Sequence, residues 1–264
     1  MERLRPAGLL PSPRALWEAA RAWRMSREGN RGAEKEQALL AYLEKEVPPG
    51  DIDRTLAGID RFCRTKAVMM NVGDEKGGIV EGAVRRAQPT LALELGTYCG
   101  YGALRIARAM PKQGRVVTLE VDPGRAEIAR RVIDHAGAGG RVAVVVGDLG
   151  DGGGTLARLG EEQGVGKVAV GFLFIDHAKD LYLRDLLILL EHEVLAPGAR
   201  IVADNLRIPG SPRYRDFIRA QEGRLFETVE HHTHLEYQRI LPDLVFESVY
   251  LGRPGAAQAG RKTT

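Results

Sequence analysis

The sequence predicts an α/β fold, a mostly parallel sheet of seven strands with helices on both faces and an antiparallel element at the sheet edge. Three observations carry this. From Pro89 to Ala203, short apolar runs alternate with helical segments, the rhythm of a parallel sheet built from crossover units. Two of those runs, residues 172–175 and 200–203, end in acid, as buried parallel strands do when their carboxyl ends face a cleft. After Asn205 two more strand-like runs follow with no crossover helix between them, so they should pair antiparallel at the edge.

The composition suits one large domain with a full core. The chain has 264 residues, 44% hydrophobic and 28% charged. A net charge of +3 implies no general affinity for polyanions, so nucleic acid is not an expected partner. Two cysteines, Cys63 and Cys99, form no paired framework and fit a reducing compartment, here the cytoplasm. No run approaches the roughly 20 apolar residues that span a membrane, and the N-terminus has no secretory apolar core.

Taken in order, residues 1–33 form a basic extension with seven arginines and only three acids. Leu16, Trp17, Ala20 and Trp23 give residues 13–25 a short amphipathic pattern. A helix packed on the domain or a loose arm accounts for it, and weak docking to a membrane or a protein is the alternative. The main domain is expected over 34–252. Helices are predicted over 34–47 and, capped by Asp51, to about Lys66. A loop at 69–73 precedes a helix that Asp74 should cap. Strands follow at 91–95, 115–121, 141–146, 168–175 and 199–203, with helices at 101–110, 123–136, 154–163 and 180–190 between them. A helix over 211–220, strands over 224–231 and 245–251, and a polar, disordered tail at 253–264 complete the chain.

The candidate chemistry lies at the strand ends. Asp176, Asp204 and Asn205 would converge if their strands are neighbours. Three oxygen ligands without sulfur or imidazole suit Mg²⁺. Either aspartate alone reads as a helix cap. Lys179 would lie on the loop above them. The first strand ends in Glu94 and runs into Gly96, Gly100 and Gly102, a spacing unlike the Gly-x-Gly-x-x-Gly of dinucleotide loops. A carboxylate there suits a cationic ligand, such as the sulfonium and ammonium of S-adenosylmethionine, better than a pyrophosphate. Glu120 could accept from ribose hydroxyls. Asp148 could accept from an adenine amino group or cap the next helix.

These residues are embedded in ordered motifs: residues 70–77 (Met-Asn-Val-Gly-Asp-Glu-Lys-Gly), 93–101, 176–180, 203–205 with Pro209-Gly210, and 235–237. Over about 34–252 the chain resembles the catechol O-methyltransferases. The resemblance implies a Rossmann-like, class I methyltransferase fold, S-adenosylmethionine and Mg²⁺ as cofactors, and a small catechol-type substrate. It implies Asp176, Asp204 and Asn205 as metal ligands, Lys179 as the base and Glu236 as the partner of the second substrate hydroxyl. It also implies cofactor contacts at Val72, Gly73, Glu94, Gly96, Tyr98, Gly100, Glu120, Asp176 and His177. Val68 and Ala178 stand where the family has tryptophans, which implies room for a bulkier dihydroxyaryl acceptor, and the family's serine and glutamine near adenine are replaced around Leu149 and Gly150. The alternatives are the related caffeoyl-type Mg²⁺ methyltransferases, a nicotinamide-dependent oxidoreductase on the same fold, and a methyltransferase-like interaction module.

Overall fold

A computed structural model describes residues 34–253. The basic extension, its expected helix and the tail from 254 lie outside the described residues. The chain runs α1 (Glu34–Glu46), α2 (Ile52–Thr65), α3 (Gly73–Ala87), β1 (Leu91–Leu95), α4 (Tyr101–Ala109), β2 (Arg115–Glu120), α5 (Pro123–His135), β3 (Val142–Val146), α6 (Gly154–Gln163), β4 (Val170–Ile175), α7 (Tyr182–Glu191), β5 (Leu195–Ala203), a single wide turn over Leu206–Gly210, α8 (Pro212–Ala220), β6 (Phe226–His234) and β7 (Pro242–Tyr250).

The seven strands form one sheet in the order β3-β2-β1-β4-β5-β7-β6. β1 to β5 are parallel, and β7 runs against both β5 and β6. The last two strands therefore pair antiparallel at one end of the sheet, as expected. The reversed strand is the penultimate one, because β6 and β7 form a hairpin-like pair whose second member docks on β5. The strand order reverses between β1 and β4, so the cleft opens at their carboxyl ends.

Two apolar layers clamp the sheet. One face packs α1 to α5 around Leu39, Leu43, Ile59, Phe62, Val84, Leu104 and Phe174. The other packs α6 to α8 around Leu159, Tyr182, Leu186, Leu189, Ile218 and Phe226. β1 is buried at every position, which is why Leu91–Leu95 reads as an unbroken apolar run with one acid in it. Asp51 caps α2 through the Arg54 amide at 3.0 Å. Asp74 does not cap α3: the helix starts at Gly73 behind Val72, and the Gly73 amide is held by Asn71 Oδ1 at 3.2 Å. The Asp74 carboxylate instead reaches Arg64. Among the described residues no helix is long and apolar enough to cross a membrane.

Candidate active site

The two acidic strand ends are brought side by side. Ile175 and Ala203 are paired in register, and the ladder continues one step further, with the Asp176 amide on Leu95 O at 2.9 Å and the Asp204 amide on Ile175 O at 3.1 Å. Asn205 follows in a left-handed conformation (φ 52°), which asparagine tolerates well, and this turns its side chain back over the strand end. Its Nδ2 donates to Glu236 Oε1 at 3.1 Å and to Asp243 Oδ2 at 2.9 Å, leaving the amide oxygen as the donor atom for a ligand. Lys179 Nζ donates to Asp176 Oδ1 at 2.9 Å and to the Tyr182 hydroxyl at 2.5 Å, and Tyr182 in turn donates to the Asp204 carbonyl at 3.2 Å.

Four carboxylates, those of Asp176, Asp204, Glu236 and Asp243, thus meet two ammoniums. The second ammonium belongs to Lys76, only 1% exposed, which pairs with Asp204 Oδ1 at 2.8 Å, Glu236 Oε1 at 2.5 Å and Asp243 Oδ2 at 2.9 Å. Burial pushes the Asp204 carboxyl up to about 7 against the pull of Lys76, with Asp176 and Glu236 adding to the rise. Burial likewise raises Asp176, opposed by Lys179. Asp204 is fully buried and its Oδ2 has no hydrogen-bond partner. An orphaned carboxylate oxygen among excess negative charge is the condition a small hard cation relieves. Among the described residues no three His, Cys, Asp or Glu side chains gather into a ready-made metal cage. The predicted set is two carboxylates and an amide, with the lysines lying among the acids.

The glycine loop after β1 wraps a second buried carboxylate. Glu94 is 1% exposed; Thr118 Oγ1 donates to its Oε2, while Oε1 has no partner. Burial raises its pKa well above the ordinary range, and the hydrogen bond from Thr118 pulls the other way. Two glycines are required by space here. A Cβ on Gly102 would lie 2.1 Å from Glu94 Oε1, and one on Gly96 (φ 103°) would lie 2.5 Å from the Asp176 carbonyl. Glu120 is held at the end of β2 by the Tyr98 amide on Oε2 (2.8 Å) and the Asp122 amide on Oε1 (3.0 Å).

A cavity of about 650 Å³ joins the two halves. Of the residues predicted from sequence, Gly96, Tyr98, Glu120, Asp148, Asp176, His177, Lys179, Asn205 and Glu236 line it. Val72, Glu94, Gly100 and Asp204 are buried behind that lining, and Gly73 packs beneath Glu236, whose Cβ would meet a Cβ there at 3.3 Å. Asp148 is not a helix cap. Asp151 takes that role, accepting from the Gly153 and Thr155 amides, while Asp148 binds the Gly150 amide and Arg184. His177 bonds Asp185 through Nε2 at 2.7 Å and stacks on Tyr182 with centroids 5.1 Å apart.

Sequence reasoning named none of Lys76, Asp243, Tyr182 and Asp185 as site residues. A helical lysine normally reads as solvated. The available signal was its register, because Lys76 shares the buried face of α3 with Gly73, Gly77, Val80 and Val84. Asp243, at the start of β7, had no comparable signal.

A profile of the O-methyltransferase family matches residues 54–233. The chain is 51% identical over 224 residues to a "Probable O-methyltransferase" of Mycobacterium tuberculosis, covering 85% of this chain and 95% of that one. It is 36% identical over 226 residues to the catechol O-methyltransferase of Mus musculus, covering 86% and 82%. Among solved structures, an O-methyltransferase from Bacillus cereus in complex with SAH superposes with a TM-score of 0.59 at 25% identity, covering 81% of this chain and 97% of that one.

Proposed function

The chain belongs to the O-methyltransferase family, and from that premise and the site geometry we propose that it carries a methyl group from S-adenosylmethionine to one hydroxyl of a catechol or other vicinal dihydroxyaryl acceptor, with Mg²⁺ bound. The observation that carries the reading is the orphaned Oδ2 of Asp204, buried beside Asp176 and Asn205. Mg²⁺ held by Asp176, Asp204 and Asn205 would supply Lewis acidity and a template for two adjacent oxygens.

The chain's own residues do the rest. Lys179, an ammonium in the cation-free site, acts as the free amine once the cation is bound and receives the proton of the attacking hydroxyl at Nζ, from a position fixed by Asp176 and Tyr182. Glu236 accepts from the second hydroxyl, steadied by Asn205 and Lys76. Glu94 offers its unpaired oxygen to the ammonium of the methyl donor, and Glu120 binds the ribose hydroxyls. Asp148 borders the adenine end with His177. The cavity wall of Leu95, Leu119, Ile208 and Leu235 keeps water from the transfer. Val68, Met70 (63% exposed) and Ala178 leave the acceptor side open and apolar, which favours an acceptor larger than a bare catechol ring. The two free, buried cysteines fit action in the reducing cytoplasm.

The test is methyl transfer from labelled S-adenosylmethionine to a catechol and to the matching monophenol in the presence of Mg²⁺. The monophenol lacks the second oxygen that Glu236 and the cation require, so its kcat/KM should be lower by about a hundredfold or more. Equal rates on the two acceptors would overturn the dihydroxyaryl reading.

A further inference from the structure

Lys76 touches neither the acceptor nor the methyl donor in the transfer proposed above. It arises from the buried face of α3 and is 1% exposed. An ammonium has three N–H donors, and these face Asp204 Oδ1, Glu236 Oε1 and Asp243 Oδ2, on three different segments. No donor remains for a substrate or a cofactor, so Lys76 acts only through the acids it holds. It does two things to them. It shares Oδ1 of Asp204 with the Asn205 amide, which donates at 2.7 Å, and leaves Oδ2 alone, so that this carboxylate can offer a cation a single oxygen. It also cancels one of the four acid charges while Lys179 cancels another, leaving an excess of two when the acids are ionised.

We propose that Lys76 sets the selectivity of the cation site, holding it to a small divalent ion through an excess charge of two and one-oxygen ligation at Asp204. The proposal rests on the metal reading above. Larger or more highly charged ions favour carboxylates that give both oxygens and sites that carry more negative charge. Mg²⁺ takes single oxygens in a compact octahedron, which is the arrangement Lys76 leaves available. Asp243 has the opposite effect on the charge excess, since it pairs with Lys76 and Asn205 without being a predicted ligand.

The experiment uses the full-length chain stripped of metal. Mg²⁺ binding is read by calorimetry and Tb³⁺ binding by luminescence sensitised through nearby tyrosines, Tyr182 foremost. Lys76→Met strips the ammonium from Oδ1, leaving it only the Asn205 amide, and raises the charge excess, so the preference for Tb³⁺ over Mg²⁺ should rise by about tenfold or more. Asp243→Asn keeps Lys76 and lowers the excess, so the preference should shift toward Mg²⁺ by about the same factor. Circular dichroism confirms that each variant is folded. If Lys76→Met does not fold, Asp243→Asn alone decides: a shift toward Mg²⁺ supports the proposal and no shift overturns it. A wild-type chain that binds Mg²⁺, with variants that shift together or not at all, overturns this inference alone. A wild-type chain that binds neither ion overturns the metal reading and this inference with it.

Discussion

Glu94 and Asp204 stand at the ends of different strands of one sheet, and both are fully buried carboxylates with one oxygen unpaired. Their surroundings differ. Glu94 has only a hydroxyl for support, from Thr118, and a space that Gly102 keeps clear. Asp204 has a built-in ammonium, Lys76, and a second one nearby on Lys179. Burying a carboxylate without a cation is costly, and each site meets that cost differently. On the proposed reading, the positive charge at Glu94 arrives with a ligand. At Asp204 part of it is resident, and only the remainder must be supplied. On that reading the fold offers one acid to the methyl donor and another to a cation, and the amount of resident charge separates the two roles.

The sharpest way to break this comparison is to neutralise each acid and measure cofactor affinity. Glu94→Gln should weaken S-adenosylhomocysteine binding by about tenfold to a hundredfold, as expected for loss of a buried charge-assisted hydrogen bond. Asp204→Asn should leave that affinity within about threefold, since Asp204 follows β5, two strands away from Glu94 on β1. Calorimetry on the two variants checks both, and equal losses would erase the distinction.

A smaller effect comes from a third buried acid, one whose positive partners are all resident. Glu247 on β7 is held by Arg86, Arg200 and His231. Burial opposes its ionisation, but those hydrogen bonds and charges lower its pKa from 4.5 to about 2. A depressed carboxylate contributes stability that is fully present above its ordinary value and is lost as the pH falls through the folded one. Melting curves between pH 5 and 2 should therefore steepen in the wild type, and Glu247→Gln should remove roughly 2–3 kcal/mol at neutral pH while flattening the acid limb. An unchanged acid limb would show that these pairs are too well solvated to matter.

Much of this was legible in the sequence, for identifiable reasons. Strand ends are marked where an apolar run meets an acid, and that signal found Glu94, Glu120, Asp176 and Asp204. Left-handed and tightly packed positions leave a mark in Gly96, Gly102 and Asn205. The cap of α3 was misplaced because Asp74 looks like a cap locally, whereas Asn71 reaches the Gly73 amide and Arg64 draws Asp74 away. Lys76 and Asp243 stayed invisible as site residues for a different reason. They matter only because α3, the end of β5 and the start of β7 meet, and a contact between residues 167 apart has no local pattern. The capping alternative at Asp148 was excluded by Asp151, three residues further on, which sits at the right distance to cap α6.

The central claim is that the cluster around Asp204 exists to hold a divalent cation on which methyl transfer depends. Initial rates of transfer from S-adenosylmethionine to a catechol, measured on chelator-stripped protein and again as Mg²⁺ is titrated back, test it directly. The rate should fall by about a thousandfold or more on stripping and return along a saturable curve with Mg²⁺. A stripped enzyme that methylates the catechol at an undiminished rate would contradict it.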